Sequence, residues 1–230
     1  MDNLEVHVLI VAGGKSSRMH NSIPKQFLHL SGIPLLQHTF NAFGYFEDAK
    51  FTLVLPQNHV EYWRKTCVDT GFKIPHNLVV GGPTRFHSVK AGLKTIPEGV
   101  LVLIHDGARP FPSHSTIQRV IDIAIRKGNA IPALDVVSSI REVSGVHNRI
   151  IDRSKLKSIQ TPQGFHSSLI KNAYNQSYNV VFTDDSTVLE NSRELINIVE
   201  GNVENIKVSD PLDLIIAQSI CTYIENNNLS

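Results

Sequence analysis

Five short, almost wholly apolar runs recur along the chain, separated by amphipathic stretches. This alternation is the strongest constraint on the fold. The runs are Val6 to Val11, Phe51 to Leu55, Asn77 to Val80, Val100 to Ile104 and Ala130 to Leu134. Runs of four to six apolar residues bounded by turn residues read as strands buried on both faces. The intervening segments near 35–46, 57–70, 85–95 and 114–127 carry helical periodicity. This β-α-β-α rhythm predicts an α/β fold, a doubly wound and mostly parallel sheet with helices on both faces. Ligands of such sheets sit at the carboxyl ends of the strands, so chemistry is expected just after each run.

The residues there are unusual. The first strand stops at Ala12-Gly13-Gly14, followed by Arg18 and then by Pro24-Lys25-Gln26-Phe27. Glycine lets a ligand approach the main chain, and exposed N–H groups of such a turn can cradle an anion. Arg18 and Lys25 add two positive charges. Neither the dinucleotide fingerprint nor the Walker A loop is present. The residues therefore suggest a loop that wraps a nucleoside triphosphate, against the plainer reading of a tight turn. The third run leads into Gly81-Gly82-Pro83-Thr84-Arg85 and Ser88, and the fourth into His105-Asp106-Gly107-Ala108-Arg109-Pro110. The plainer reading of Asp106 is a helix or turn cap, and of Arg109 half of a structural ion pair with a carboxylate.

Residues 136–153 break the rhythm. Val137 to Val143 and Arg149 to Asp152 read as two strands around a turn with Ser144, Gly145 and Asn148, a hairpin that projects from the sheet. A lone hairpin is marginally stable, so this arm is expected to pack against another chain. With Arg141, Arg149, Arg153, Lys155 and Lys157 on and beside it, the region is the most basic in the chain. It reads either as a solvated charged arm or as a phosphate-binding arm shared across a dimer. Beyond it, Thr183 or Asp184 reads as a helix cap. Glu194 to Glu200 reads as another strand, and Glu204 to Val208 as a strand feeding a final helix from Asp210. Lys207 sits at that junction and could be an ordinary surface lysine.

The 230 residues carry a net charge of +1, which gives no nucleic-acid or polybasic membrane footprint. No run approaches a membrane span. Cys67 and Cys221 lack metal-type spacing and read as reduced thiols. A signal peptide is not evident, so a cytoplasmic protein is expected.

Taken together, A-G-G-x-x-x-R-M, P-K-Q-F, G-G-x-x-R-x-x-S-V, H-D-G-A-R-P, T-P-Q-G-F, T-D-D and N-I-K-V stand in an order covering about residues 6 to 220. This set resembles the 2-C-methyl-D-erythritol 4-phosphate cytidylyltransferase family. The resemblance implies a single nucleotidyltransferase domain over 1–230, with a β-arm at 136–153 that crosses its twin in a homodimer. It implies that a phosphate oxygen of methylerythritol phosphate attacks the α-phosphorus of CTP, with Mg²⁺ on the triphosphate. By motif, Arg18, Lys25 and Lys207 would be the catalytic cations. Ala12, Gly13, Gly14, Gly82, Ser88, Asp106 and Gly107 would bind CTP. Asp106, Thr161 and Thr183 would meet the polyol phosphate together with Ser139 and Arg153 of the partner's arm, and Asp106 is the one candidate metal ligand. The chain departs from the usual pattern at Pro83, where an acidic residue is common, and at Ser138-Ser139, where Asp-Thr is usual. A related cytidylyltransferase acting on another polyol phosphate, such as ribitol 5-phosphate, is the alternative; a nucleotide sensor without catalysis is another.

Overall fold

The computed structural model describes residues 4–13 and 23–227. In chain order the elements are β1 (Val6–Val11), β2 (His29–Leu30), β3 (Ile33–Pro34), α1 (Leu35–Asn41), β4 (Lys50–Leu55), α2 (Gln57–Thr70), β5 (Asn77–Val80), α3 (Arg85–Leu93), β6 (Leu101–Asp106) and α4 (His114–Lys127). There follow β7 (Asn129–Asp135), β8 (Ile140–Ser144), β9 (His147–Ile151), β10 (Lys157–Ile159), β11 (Gln163–His166), α5 (Ser167–Ala173), α6 (Asp185–Glu190), β12 (Ile198–Glu200) and α7 (Pro211–Asn227).

Local chemistry sets these limits. The backbone of Pro56 is extended where α2 begins, and α2 stops at Gly71 with φ +65°, a left-handed turn that glycine adopts without steric cost. Ser113 caps α4 by accepting from the Thr116 N–H, and Gly128 ends it at φ +87°. Both helices keep the limits read from the sequence.

Eight strands form one sheet in the order β10-β7-β11-β6-β1-β4-β5, with β12 also paired to β7. β1 runs parallel to β4 and β6, and β4 parallel to β5. Side chains alternate across β1. Val8 and Ile10 join Phe40, Leu53, Trp63, Leu103 and Val120 on one face. Leu9 and Val11 join Val54, Phe86, Val102, Phe165 and Leu189 on the other. Both faces are covered by helices, as a parallel sheet requires.

Four expectations are corrected. The fourth strand does not end at Ile104 but at Asp106, because β1 extends far enough to pair Ile10 with His105 and Val11 with Asp106. Residues 163–166, not foreseen as a strand, form β11, which runs antiparallel between β6 and β7. Its Gly164 is required by packing, since a Cβ there would lie 2.7 Å from Val120 of α4. Of 194–200 only Ile198–Glu200 pairs, because the Asn129 side chain takes the Leu195 carbonyl and the Asn197 N–H that a ladder would have used. Residues 204–208 are not a strand: the carbonyl of Asn205 is taken by the side chains of Arg109 and Gln160.

The arm is present with shifted limits. β8 and β9 pair with each other across Gly145 and Val146, and Val137, Val143, Val146 and Ile150 are exposed on it. Among the described residues no helix is long and apolar enough to cross a membrane.

Candidate active site

A cleft of about 610 Å³ opens at the carboxyl ends of β1, β4, β5 and β6. Ala12, Gly13, Lys25, Gly82, Ser88, Asp106, Gly107 and Lys207 all line it, so eight residues singled out in the sequence converge on one space. Gly14 and Arg18 lie outside the described residues. The strand ends meet through the main chain: the Ala12 N–H donates to the Val54 carbonyl at 3.0 Å and the Gly107 N–H to the Val11 carbonyl at 2.9 Å. Gly107 must be glycine, since a Cβ there would stand 2.8 Å from the Ala12 Cβ. The buried Ser88 hydroxyl donates to the Thr84 carbonyl at 3.0 Å and accepts from the Gly82 N–H at 3.2 Å. The Gln26 amide, also buried, donates to the Ala12 carbonyl and to His59 Nδ1, each at 3.1 Å. Burial depresses the His59 pKa, which keeps that ring nitrogen free to accept.

A second cleft of about 480 Å³ lies beside the first and shares three residues with it: Arg85, Asp106 and Lys207. Asp106 is the junction. Lys207 Nζ donates to its Oδ2 at 2.7 Å and Arg85 Nε to its Oδ1 at 3.3 Å, while Arg109 Nε stands 3.7 Å from Oδ2. Burial of Asp106 would raise its pKa, but Arg85, Lys207 and Arg109 together hold it well below the usual carboxylate range. Arg85 in turn grips the fully buried Asp185 through both terminal nitrogens, at 2.8 and 2.6 Å. Burial opposes the charge on Arg85, and the two carboxylates outweigh it and keep the guanidinium protonated. At the junction the three cations Arg85, Arg109 and Lys207 face two carboxylates, Asp106 and Asp185, which leaves one net positive charge where the clefts meet.

Thr161 and His105 brace this junction from behind. The Asp106 N–H donates to Thr161 Oγ1 at 3.1 Å, and Thr161 Oγ1 lies 3.0 Å from His105 Nδ1. His105 Nε2 is 2.8 Å from the Arg109 carbonyl, which can only accept. So Nε2 carries the proton and the Thr161 hydroxyl donates to Nδ1. The ring is neutral, because burial pushes its pKa down to about 4. The Thr161 hydroxyl, expected near the polyol phosphate, is thus engaged with the protein on two sides while its residue lines the second cleft.

Thr183 also lines the second cleft. The cap of α6 is Asp184, which accepts from the Thr187 N–H at 2.9 Å and from Gln163 Nε2 at 2.8 Å. Ser139 and Arg153 contribute to neither cleft of their own chain; both are exposed on the arm, where Arg153 donates to the Val137 carbonyl.

Among the described residues no group of three or more His, Cys, Asp or Glu side chains is arranged to hold a metal. Among the described residues Asp106 is the one carboxylate lining the first cleft. A Mg²⁺ ion commonly takes one or two carboxylates and completes its shell with water and substrate phosphates. Asp106 offers such an ion a single carboxylate whose oxygens also receive Arg85 and Lys207, so triphosphate oxygens and water would supply most of its shell.

Sequence reasoning did not find Asp185, Tyr174, His105 or Gln26 as parts of the site, and it gave Arg85 no role. Arg85 and Asp185 stand one hundred residues apart and meet only through the fold. One signal was available: two adjacent acids at the start of a short helix exceed what a cap requires.

The family model described as IspD: 2-C-methyl-D-erythritol 4-phosphate cytidylyltransferase matches residues 6–223. A 2-C-methyl-D-erythritol 4-phosphate cytidylyltransferase from Porphyromonas gingivalis is 44% identical over 217 residues, covering 94% of this chain and 97% of that protein. The protein of the same description from Bacteroides fragilis is 43% identical over 213 residues, covering 92% and 97%. The crystal structure of the 2-C-methyl-D-erythritol 4-phosphate cytidylyltransferase from Thermus thermophilus superposes with a TM-score of 0.75 at 30% identity, covering 95% of this chain and all of that one.

Proposed function

The chain belongs to the 2-C-methyl-D-erythritol 4-phosphate cytidylyltransferase family and is a cytidylyltransferase of isoprenoid precursor synthesis, and we propose that it performs the transfer where its two clefts meet at Asp106. CTP occupies the first cleft and methylerythritol phosphate the second. A phosphate oxygen of the polyol phosphate forms a bond to the α-phosphorus of CTP. The bond from that phosphorus to the bridging oxygen breaks, and pyrophosphate leaves with its electron pair. The product is CDP-methylerythritol. Two anions must come together, so fixed cations are the main requirement.

The observation that carries this reading is the position of Lys207. It lines both clefts and is held by Asp106 at 2.7 Å. There it meets both the α-phosphate and the incoming phosphate. Lys25 faces the triphosphate from the first cleft, and Arg18 joins it by motif. Arg109 borders the second cleft and adds charge beside the attacking phosphate. The main-chain groups of Ala12, Gly13, Gly14 and Gly82 read cytosine and ribose with Ser88 and Gly107. Thr161 and Thr183 border the polyol. Asp106 and the triphosphate oxygens would hold Mg²⁺, which when bound neutralises charge on the leaving pyrophosphate.

The arm supports a homodimer. Its exposed Val137, Val143, Val146 and Ile150 need cover, and its Arg153 and Ser139 reach no cleft of their own chain. In the dimer each arm brings Arg153 and Ser139 to the partner's second cleft, where the guanidinium binds phosphate through two hydrogen bonds. Residues 1–230 act as a single nucleotidyltransferase unit in the cytoplasm. The test is turnover of CTP with methylerythritol phosphate and with ribitol 5-phosphate in parallel. Methylerythritol phosphate is expected to be strongly preferred; preference for ribitol 5-phosphate overturns the assignment of the second substrate.

A further inference from the structure

Asp106 is held from the far side by a chain of polar contacts that reaches away from both clefts. Tyr174, at the C-terminal cap of α5, donates its hydroxyl to Asp185 Oδ1 at 2.7 Å. Asp185, the first residue of α6, takes both terminal nitrogens of Arg85, the first residue of α3. The remaining nitrogen of that guanidinium, Nε, points to Asp106 Oδ1, at the end of β6. Asp106 Oδ2 then holds Lys207. Five residues from five separate segments thus form one line. Asp185 is 0% exposed and Tyr174 2% exposed, and neither lines a cleft.

Buried polar groups are costly unless paired, and a buried ion pair is seldom the cheapest way to stabilise a fold. A well-packed apolar pair would fill the same space. What the charged line supplies is orientation. A guanidinium is a rigid planar fork. Once two of its nitrogens are fixed by Asp185, the direction of Nε is set, and with it the rotamer of Asp106. The Tyr174 hydroxyl fixes Asp185 in turn. If the fork were free, the Asp106 carboxylate could turn toward Arg109, 3.7 Å away, and release Lys207.

We propose that Asp185 and Tyr174 are positioning residues for the transfer: through Arg85 they fix Asp106 so that its second oxygen holds Lys207 where the two clefts meet. This rests on the reading that Lys207 acts on the α-phosphate.

The test combines steady-state kinetics with a double-mutant cycle. Asp185→Asn should lower kcat by on the order of 10- to 100-fold, the cost of slightly misplacing a reacting group, while the KM for CTP stays nearly unchanged. Tyr174→Phe should show the same split with a smaller loss. Arg85→Lys should not rescue, since an ammonium cannot span both carboxylates. Asp185→Asn leaves Arg85 without its buried counter-charge and could unfold the protein. The paired variant Arg85→Met with Asp185→Leu, carried with Tyr174→Phe so that no buried hydroxyl is left unpartnered, removes both charges at once. It should melt near the parent temperature and still lose turnover. The cycle pairs Asp185→Asn with Lys207→Ala. If Asp185 acts through Lys207, its substitution costs far less turnover once Lys207 is gone. Equal losses in both backgrounds, or a paired variant with parental kcat, overturn the inference. A Lys207→Ala enzyme with full turnover instead overturns the reading on which it rests.

Discussion

Lys25 Nζ donates to the main-chain carbonyl of Val208 at 3.0 Å, which ties Lys25 to the residue next to Lys207. Val208 is itself pinned, its N–H donating to the Ala108 carbonyl at 2.8 Å. Both lysines are therefore referenced to one stretch of backbone. Lys25→Ala should lower kcat by roughly 10²- to 10³-fold, the usual cost of removing a preorganised charged donor. Loss of the Val208 hydrogen bond should cost about 1.5–3 kcal/mol of stability, the value of one such contact from a charged group. Turnover and thermal melting measured on the same preparation check this. Unchanged turnover removes Lys25 from the chemistry.

Arg153 is expected to separate the two substrates. It stands on the arm, away from both clefts of its own chain. If it reaches the partner's second cleft, Arg153→Ala should raise the KM for the polyol phosphate by roughly 10- to 100-fold, the value of a charge-assisted bidentate contact. The KM for CTP should change far less. An equal rise in both constants assigns the arm a structural role. Sedimentation of the parent and of the variant reports the oligomeric state of each.

His105 predicts a slope of stability with pH. Its folded pKa is pushed down to about 4 by burial, below the ordinary imidazole value of 6.5. Between these values the unfolded chain binds a proton that the folded chain does not. The contribution is therefore intact above about pH 6.5 and is lost as the pH falls toward 4. One such site costs on the order of 2 kcal/mol by pH 5. Melting curves from pH 7.5 to 4.5 should fall in that window, and His105→Asn should flatten part of the fall. A variant with the parental slope shows that other groups set it. His38 and His59, also depressed by burial, add with the same sign.

Gly107 tests the packing of the strand ends. A Cβ at this position would lie 2.8 Å from Ala12 and 3.2 Å from Leu36. Gly107→Ala should cost about 1–3 kcal/mol by overpacking. Because the atom that must yield belongs to Ala12, the KM for CTP should rise more than that for the polyol phosphate. Parental stability and affinity would mean that the two strand ends have slack.

The parts that could be read from the sequence were those with local causes. Helix α4 runs from a serine cap to a left-handed glycine, and both signals are written in adjacent residues. The sheet faces follow from apolar runs that need no partner to be recognised. Strand β11 was not legible, because Gln163-Gly164-Phe165-His166 has no apolar alternation and is made a strand by the vacant edges of β6 and β7. The segment around Lys207 failed for the opposite reason. Its residues suit a strand, but the side chains of Arg109 and Gln160 take the Asn205 carbonyl first. In the site, Lys25 and Lys207 could be named from motifs. Asp185 could not, since its importance comes from Arg85, which the chain brings to it only after folding.

The course of β11 has a bearing on how the molecule can be made or cut. A chain halted near residue 150 would hold β1, β4, β5 and β6 and all of the glycine turns, and would look like a free-standing nucleotide module. It would present a bare edge of β6 to the solvent, where Gln163 should pair with Ile104, and the Asp106 N–H would lack the Thr161 hydroxyl. An open edge in the middle of a hydrophobic sheet invites pairing with other chains. A ribosome must therefore release most of the polypeptide before the nucleotide side can close, and splitting the gene at the arm should yield aggregates rather than two working halves.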